Sequence, residues 1–570
     1  MQKLFKRRFQ TLLTSLKTMV YRISRRQVLF MLIIFANLVL IAFLNIMTHV
    51  GLSQHNKGLI RSRYKAEADL SPISTDEAMG SRVIHLKESA SLSVKGVGGI
   101  GFTYTSPRSL GLTNPNVSQY ALRNDDIAVG DIIKLFITAR DENGRLRTSG
   151  GDYFTVVITQ ESQNASTTAE IIDHSNGTYT AYAYAGWAGK SSITVTLVNP
   201  SDAIYYLRYN YTLLSHRAGF VGIFQRNNVT ERTNCYIQHE GSWSKKCEYF
   251  HPYNLFSTRL LCDAPPTLPC DALTILPRSD DTNALNMPRV PEDKQYLFTD
   301  KRRYQKLSKG PQVVDVKGIE GQSSLPVLEK CYNTYKSFSF PDGFWMKGRY
   351  LHLTCDNSKW FHLEDTIKCL TNKHLLLLGD SQLRLWIRKI RTLLGIEVVV
   401  DKYTHAISTS KPEINFNVTF QFHPFFRHPD EGYSLVSDHR YETQILDEVD
   451  RSHCNYIVVF GPWAHYALWT PGAYRERLEF LRDGVLKFMK RCPNAVVILK
   501  GPQPTKTTTN FFDYVCKTMM DMQMEVFDGI GIKFMNVWDM IESAYWYSDP
   551  HPPDDVINVQ FQQLLSYSCK

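Results

Sequence analysis

Hydrophobic and polar positions fall into three textures along the chain. Val28–Met47 (VLFMLIIFANLVLIAFLNIM) carries no charge, and Asn37 and Asn45 are its only polar residues. As a helix its roughly 20 residues rise ~30 Å, the depth of a bilayer's hydrocarbon core. From about residue 100 to 215 the pattern changes to short strands and turns. IIKLFITARD alternates, ENGRLRTSGGD turns, YFTVVITQ alternates again, and SSITVTLVNP closes the series. Such spacing predicts a β-sandwich. From about 331 onward the apolar runs HLLLL (374–378), IEVVV (396–400), YIVVF (456–460), AVVIL (495–499) and IKFMNVW (532–538) stand far enough apart for crossover helices. Leu478, Leu481, Val485 and Phe488 recur at helical spacing, and the Met-rich DYVCKTMMDMQMEVF (513–527) reads as another core-facing helix. Strands buried on both faces and alternating with helices predict a doubly wound α/β domain.

The remaining stretches connect these. Residues 49–90 are polar, mixed in charge and aperiodic, a stem. Gly96-Val-Gly98-Gly-Ile-Gly101 matches a dinucleotide-binding spacing, but FTYTSPRS follows where a helix should open, so that reading is rejected. Residues 216–330 hold four cysteines and the proline-dense DAPPTLPCDALTILPRSDDTNALNMPRVPED, and predict a disulfide-tied, loop-rich bridge; the KRR at 301–303 reads as a solvated charge cluster. The chain is thereby divided into a basic tail (1–27), an anchor (28–48), the stem (49–90), an all-β domain (91–215), the bridge (216–330) and an α/β domain (331–570).

Charge sharpens the reading of the N-terminal part. The formal charge is +10, but eight of these positives (Lys3, Lys6, Arg7, Arg8, Lys17, Arg22, Arg25, Arg26) precede residue 28, where no acidic residue occurs. The rest is nearly neutral, so a nucleic-acid partner is not expected. A positive flank before an apolar run predicts a type II signal anchor, with the tail cytoplasmic and everything beyond residue 50 lumenal, in the Golgi or at the cell surface, or secreted if the anchor is cleaved. Asn116, Asn164, Asn176, Asn210, Asn228 and Asn417 each begin an Asn-X-Ser/Thr acceptor, all after the anchor. The eleven cysteines also follow it and include no Cys-x-x-Cys pair, which favours disulfides over a metal site and leaves at least one thiol over. Proximity suggests that Cys235, Cys247, Cys262 and Cys270 pair among themselves.

Candidate chemistry centres on Lys373–Trp386, KHLLLLGDSQLRLW. Gly379-Asp380-Ser381 ends the first strand of the α/β domain, and QLRLWIRKI reads as a helix. Ligands of such sheets bind at the C-terminal strand ends, and a helix N-terminus there stabilises an oxyanion. Ser381 is either a nucleophile or a helix cap. A nucleophile needs a base, and a base needs an orienting acceptor. Near the C-terminus Asp549-Pro-His551-Pro-Pro lies on a stiff loop after a strand predicted to end at Trp538-Asp539.

Two resemblances add to this. GDIIKLFITARDENGRLRTSGGD and DHSNGTYTAYAYAGWAGKSSITVTLVNPSDA resemble the filamin-like, immunoglobulin-type domain of the neurexophilins, chiefly through the Asn-Gly-Thr-Tyr turn and Trp187-Ala-Gly189. The Gly379–Arg384 block (GDSxxR), CYNTYKSFSFPDGFWMKGRYLHLTC upstream of it and the terminal acid-and-histidine loop resemble the PC-esterase branch of the SGNH/GDSL-type hydrolases. Their order is that of the neurexophilin and PC-esterase domain (NXPE) family, over roughly residues 90–570. The resemblance implies an SGNH-like fold for the α/β domain, with Ser381 as nucleophile, His551 as base and Asp549 as acid, Asp539 being the competitor. SGNH enzymes usually place the acid three residues before the histidine, whereas position 548 is serine. The oxyanion block has no clear counterpart; nearest is Gly461-Pro-Trp-Ala-His465, where Gly461 offers a backbone N–H and His465 is a site residue or a packed one. Arg384 faces the site or fixes the loop. Implied activity is acyl, above all acetyl, transfer to or hydrolysis from glycan hydroxyls, without a bound cofactor or metal and with an acyl donor such as acetyl-CoA if it transfers. Implied partners are a glycan or glycoprotein acceptor, the membrane through one span, and a protein ligand of the sandwich. The alternative is a non-catalytic binding glycoprotein with a decayed esterase fold.

Overall fold

Alternation builds the first sheet. In the computed structural model the strands β1 (Gln119–Leu122), β2 (Ile132–Thr138), β3 (Tyr153–Gln160), β4 (Ala165–Asp173), β5 (Thr178–Tyr184) and β6 (Gly189–Asn199) pair antiparallel in the order β1-β2-β5-β4-β3-β6. Alternate residues point inward: Ile133, Leu135 and Ile137 of β2, Phe154, Val156 and Ile158 of β3, Ile193, Val195 and Leu197 of β6, in one core with Trp187. β4 is shared, pairing β3 through Ala165–Thr168 and β5 through Ala169–Asp173, so the sheet folds over its own core. The Asn176-Gly177 turn before β5 fits glycine alone. Gly177 sits at φ 82°, and a Cβ there would lie 2.2 Å from the Arg147 carbonyl oxygen.

The structure describes residues 111–570 apart from 212–218, 239–245, 250–252, 254–258, 278–289, 300–302, 319–324, 335–340, 401–403, 425–434, 437–439, 451, 453 and 506–511. The basic tail, the apolar run, the stem and the glycine-rich stretch all lie outside these. Among the described residues no helix is long and apolar enough to cross a membrane.

The stretch expected to be loop-rich differs. It carries a second antiparallel sheet of β7 (Gly219–Arg226), β8 (Val229–Gln238), β9 (Lys246–Tyr249), β10 (Arg259–Asp263) and β11 (Leu273–Ile275), ordered β11-β7-β8-β10-β9. Charged and hydroxyl residues on both faces of β8 (VTERTNCYIQ) mask the alternation, while Cys235 and Ile237 are buried. Disulfides Cys235–Cys262, between facing residues of β8 and β10, and Cys247–Cys270 tie this sheet. Further on, β12 (Gln305–Lys306) and β13 (Val313–Val316) return to pair with β6. The hairpin β14 (Gly343–Met346) and β15 (Arg349–His352) pairs with β4 at Phe344 and Trp345. Phe344 is buried in the first core and its neighbour Trp345 in the core of the third sheet.

That third sheet comprises β16 (His374–Gly379), β17 (Ala406–Lys411), β18 (Phe416–Phe422), β19 (Tyr456–Phe460), β20 (Val496–Lys500) and β21 (Lys533–Met535), in the order β17-β18-β16-β19-β20-β21, parallel except for edge strand β17. Its helices are α1 (Leu363–Leu370), α2 (Ser381–Leu394), α3 (Glu442–Glu448), α4 (Pro471–Arg491), α5 (Phe512–Val526), α6 (Trp538–Ser543) and α7 (Asp554–Ser568). Leu376, Leu378, Val458, Phe460 and Leu499 pack with Leu478, Leu481, Val485 and Phe488 of α4 and Met520 of α5. Leu375, Leu377, Ile457, Val459 and Ile498 face Trp386 and Ile390 of α2 and Phe561 and Leu565 of α7. Both faces are covered, which is why these strands read as unbroken apolar runs. The parallel strands run second-first-third-fourth-fifth, so chain direction across the sheet reverses between β16 and β19, where ligands of such sheets bind.

Two expectations are corrected here. Ile396–Val400 follows the left-handed cap Gly395 of α2 and forms no strand; the second parallel strand is Phe416–Phe422. Its polar Asn417, Thr419 and Gln421 interrupt the apolar pattern, whereas a short apolar run has no period that distinguishes strand from coil. The last strand ends at Met535, and Trp538–Ser543 is helical, so Asp539 lies in the first turn of α6 and not at a strand end.

The remaining disulfides are Cys331–Cys355, Cys369–Cys569 and Cys454–Cys492, and Cys516 is buried and free. Non-reducing peptide mapping should recover all five pairings. Cys516 should resist alkylation in the native protein and react once it is denatured; native alkylation would contradict its burial in α5.

Candidate active site

Backbone contact at the strand reversal fixes the Gly-Asp-Ser segment. A Cβ on Gly379 would lie 2.9 Å from Leu383 Cδ1 and 3.2 Å from the Gly461 carbonyl oxygen, so glycine lets the ends of β16 and β19 approach. Asp380 then caps α2: its backbone is extended (φ −113°, ψ −163°) and its Oδ1 accepts the Gln382 N–H at 2.9 Å. The capping role belongs to the aspartate, and Ser381 is the first helical residue. Its N–H is among the first-turn donors that have no acceptor within the helix.

The Ser381 hydroxyl meets the C-terminal loop. Ser381 Oγ lies 3.0 Å from His551 Nε2, across 170 residues of sequence. His551 is half-exposed, and Asp549 more so. Asp549 Oδ1 accepts the backbone N–H of His551 at 2.7 Å and stands 3.7 Å from its Nδ1. The carboxylate is therefore close enough to act by charge, but its hydrogen bond goes to the backbone. Asp539, the competitor, is buried, and its Oδ2 accepts the Asp342 N–H at 2.7 Å. Asp342 Oδ2 in turn sits 3.1 Å from Nδ1 of the buried His352. Asp539 thus belongs to the packing of α6 against the β14–β15 hairpin.

Other expected residues take up different tasks. The Gly461 N–H donates to the Leu378 carbonyl at 3.1 Å and continues the β16–β19 ladder, so it is spoken for and the expected oxyanion donor is not there. Arg384 reaches the Thr404 carbonyl (3.4 Å) and lies 5.5 Å over the Phe422 ring, which ties α2 to the end of β18. His465 is joined to a histidine that the sequence reading missed: its Nδ1 is 3.1 Å from Nε2 of His423. His423 follows β18, its N–H donates to the Gly379 carbonyl (2.8 Å), and its Nδ1 faces the Pro424 carbonyl at 3.1 Å. A carbonyl accepts only, so Nδ1 of His423 carries the proton, Nε2 accepts, and His465 donates from Nδ1. Burial lowers the His423 pKa and keeps it neutral, consistent with this arrangement. Only a correct placement of β18 beside β16 could have singled out His423 from the sequence.

Charge is also buried beneath the site. Lys500, at the end of β20, is wholly buried; burial pulls its pKa down to about 8, with Asp380 opposing the shift. Farther out, Arg477 of α4 and Glu442 of α3 form an interior ion pair. The six acceptor asparagines, Asn116, Asn164, Asn176, Asn210, Asn228 and Asn417, are all exposed.

The two candidate acids predict opposite behaviour. Burial raises the Asp539 pKa from 3.8 to about 7. Between these values the folded protein retains a proton that the unfolded chain has released, so this group's contribution to stability falls as pH rises through that window. Asp539→Asn keeps the acceptor for Asp342, and should raise the melting temperature at pH 7.5 and flatten the decline between about pH 4 and 7. Reactivity of Ser381 should be unchanged in Asp539→Asn and reduced in Asp549→Asn. A reversed order, measured by active-site labelling, would make Asp539 the acid.

Residues 138–281 match the family model Neurexophilin, and residues 350–569 match that of the NXPE family member 4-like, C-terminal domain. Among solved structures, the crystal structure of invasin, a bacterial integrin-binding protein, shares 12% identity over 39% of this chain and 42% of that chain; at a TM-score of 0.13 this likeness carries no argument. Five disulfides and a neurexophilin segment accord with a protein of the secretory pathway. With one model matched over much of the first two sheets and the other over the parallel-sheet domain that contains Ser381 and His551, the chain belongs to the NXPE family.

Proposed function

We propose that this protein moves an acyl group, above all acetyl, on or off glycan hydroxyls within the secretory pathway, with Ser381 as nucleophile and His551 as general base. The observation that carries the reading is the 3.0 Å contact between Ser381 Oγ and His551 Nε2 at the strand reversal. For Nε2 to accept the serine proton, Nδ1 must hold the other, on the side where Asp549 stands. Ser381 Oγ attacks the acyl carbonyl carbon while His551 takes its proton. The tetrahedral oxyanion forms beside the α2 N-terminus, whose dipole and Ser381 N–H favour negative charge. His551 then returns the proton to the departing group and leaves an acyl-serine. A sugar hydroxyl or water gives its proton to His551 and attacks the same carbon, and His551 returns that proton to Ser381 Oγ as the acyl–serine bond breaks. If the reaction is a transfer, an acyl donor such as acetyl-CoA supplies the group in the lumen.

The rest of the reading follows the family's organisation. We place the protein in a secretory membrane, anchored through residues 28–48 with an SGNH-like domain and an immunoglobulin-like sandwich on the lumenal side, and glycosylated at the six exposed asparagines. A second reading, a binding glycoprotein whose site is silent, draws on the half-exposed Ser–His pair and on the engaged Gly461 N–H.

A serine-reactive fluorophosphonate applied to the full-length protein separates the two. Labelling at Ser381, lost in Ser381→Ala and in His551→Ala, is the expected result. On cells, glycan O-acetylation should fall by orders of magnitude in Ser381→Ala at equal protein level, because members of one catalytic unit fail together. Wild-type O-acetylation by Ser381→Ala would leave the binding reading.

A further inference from the structure

The Ser381–His551 contact joins the first turn of α2 to a loop 170 residues away, and something must hold that loop. The carbonyl of Pro550, directly before His551, accepts two side-chain amides: Gln382 Nε2 at 2.9 Å and Gln503 Nε2 at 2.9 Å. Gln382 is the residue after Ser381, and Gln503 lies three beyond the end of β20. Their exposures are 4% and 0%, so both amides are withdrawn from water while the Pro550 end of each bond is partly buried.

A primary amide has a donating and an accepting end, and only the donating end can serve a carbonyl. Lys500 Nζ approaches Gln503 Oε1 at 3.4 Å. An ammonium can only donate, so the oxygen of Gln503 faces Lys500 and its nitrogen is turned to Pro550. Lys500 thereby selects the amide orientation that holds the loop. Asp549 offers no equivalent hold, since its hydrogen bond goes to the backbone N–H of His551 and its oxygen stays 3.7 Å from Nδ1. A displacement of the imidazole by about 1 Å would cost a reaction of this kind about 100-fold.

We infer that Gln503, oriented by Lys500 and seconded by Gln382, is the positioning residue that sets the His551 imidazole against Ser381. This rests on the catalytic reading above. Three elements meet at one carbonyl: α2 with the nucleophile, the end of β20, and the loop with the base. The clamp works through the backbone before His551 and needs no carboxylate on Nδ1.

The test uses full-length protein and three readouts: the rate of fluorophosphonate labelling at Ser381, the melting temperature, and hydrogen exchange of the peptide spanning residues 545–556. Gln503→Glu keeps the size of the side chain and gives Lys500 an ionic partner, but it offers Pro550 no donor. It should leave the melting temperature at or above that of wild type, slow labelling by about 100-fold and speed exchange in the loop. Gln503→Met removes both ends of the amide and should also slow labelling, whereas Lys500→Arg retains a donor to Gln503 and should label nearly as wild type does. A merely structural role predicts instead that labelling follows the melting temperature. Labelling of wild type with unchanged labelling of Gln503→Glu would overturn the inference and leave the catalytic reading standing. Absence of labelling in wild type would overturn the catalytic reading, and the positioning role with it.

Discussion

Much of this molecule depends on how closely two parallel strands end beside each other. Gly379 and Gly461 close β16 and β19 with their backbones in contact, and no side chain larger than hydrogen fits on Gly379 without moving Leu383 or the Gly461 carbonyl. That approach turns Asp380 into the cap of α2 and sets Ser381 at the helix N-terminus, where the order of strands reverses. It also makes the next backbone groups part of the ladder: His423 N–H goes to the Gly379 carbonyl and Gly461 N–H to that of Leu378. The same contact that delivers the serine therefore removes the glycine amide from use as an oxyanion donor.

Around this centre the chain is stitched so that its parts are not separate beads. Phe344 and Trp345, consecutive in β14, are buried in different cores, and β14 itself extends the first sheet through β4. Thr168 of β4 donates to Glu542 of α6 at 2.5 Å, and the Trp345 indole donates to the Met540 carbonyl at 2.8 Å. The second sheet shares its core with α4 and the neighbouring face of the parallel sheet. A small antiparallel sheet gains stability from such sharing, and its two disulfides restrict the unfolded chain as well.

Buried charge shows where packing was not the sole concern. Arg477 and Glu442 neutralise each other in the interior, an arrangement that costs much of its Coulomb gain in desolvation and is costly to break. Lys500 has a weaker position, with one hydrogen bond to Gln503 and a charge interaction with Asp380, and its lowered pKa registers the cost. An apolar residue would fill that space more cheaply. A lysine is explained if the direction of the Gln503 amide matters.

The sequence by itself determined the local chemistry and the periodic elements. The alternation in β2, β3 and β6, the apolar runs of β16, β19 and β20 and the α4 stripe were all legible, because a strand buried on one face, a strand buried on both and an amphipathic helix each leave a distinct period, whereas the pairing of Ser381 with His551 came from the family resemblance. Local pattern fails where the period is masked or absent: charged β8 and polar-faced β18 give no clear strand signal, and the apolarity of Ile396–Val400 predicts a strand that does not form. Only the tertiary structure decided which acid lies near His551, that Gly461 is engaged, that His423 meets His465, and that Gln382, Gln503 and Lys500 converge on Pro550. Apart from Asp549 with His551 and Lys500 with Gln503, these contacts join residues tens to more than a hundred positions apart. A hydrogen bond depends on distance and direction in space, and neither exists until the strands are placed in order and register.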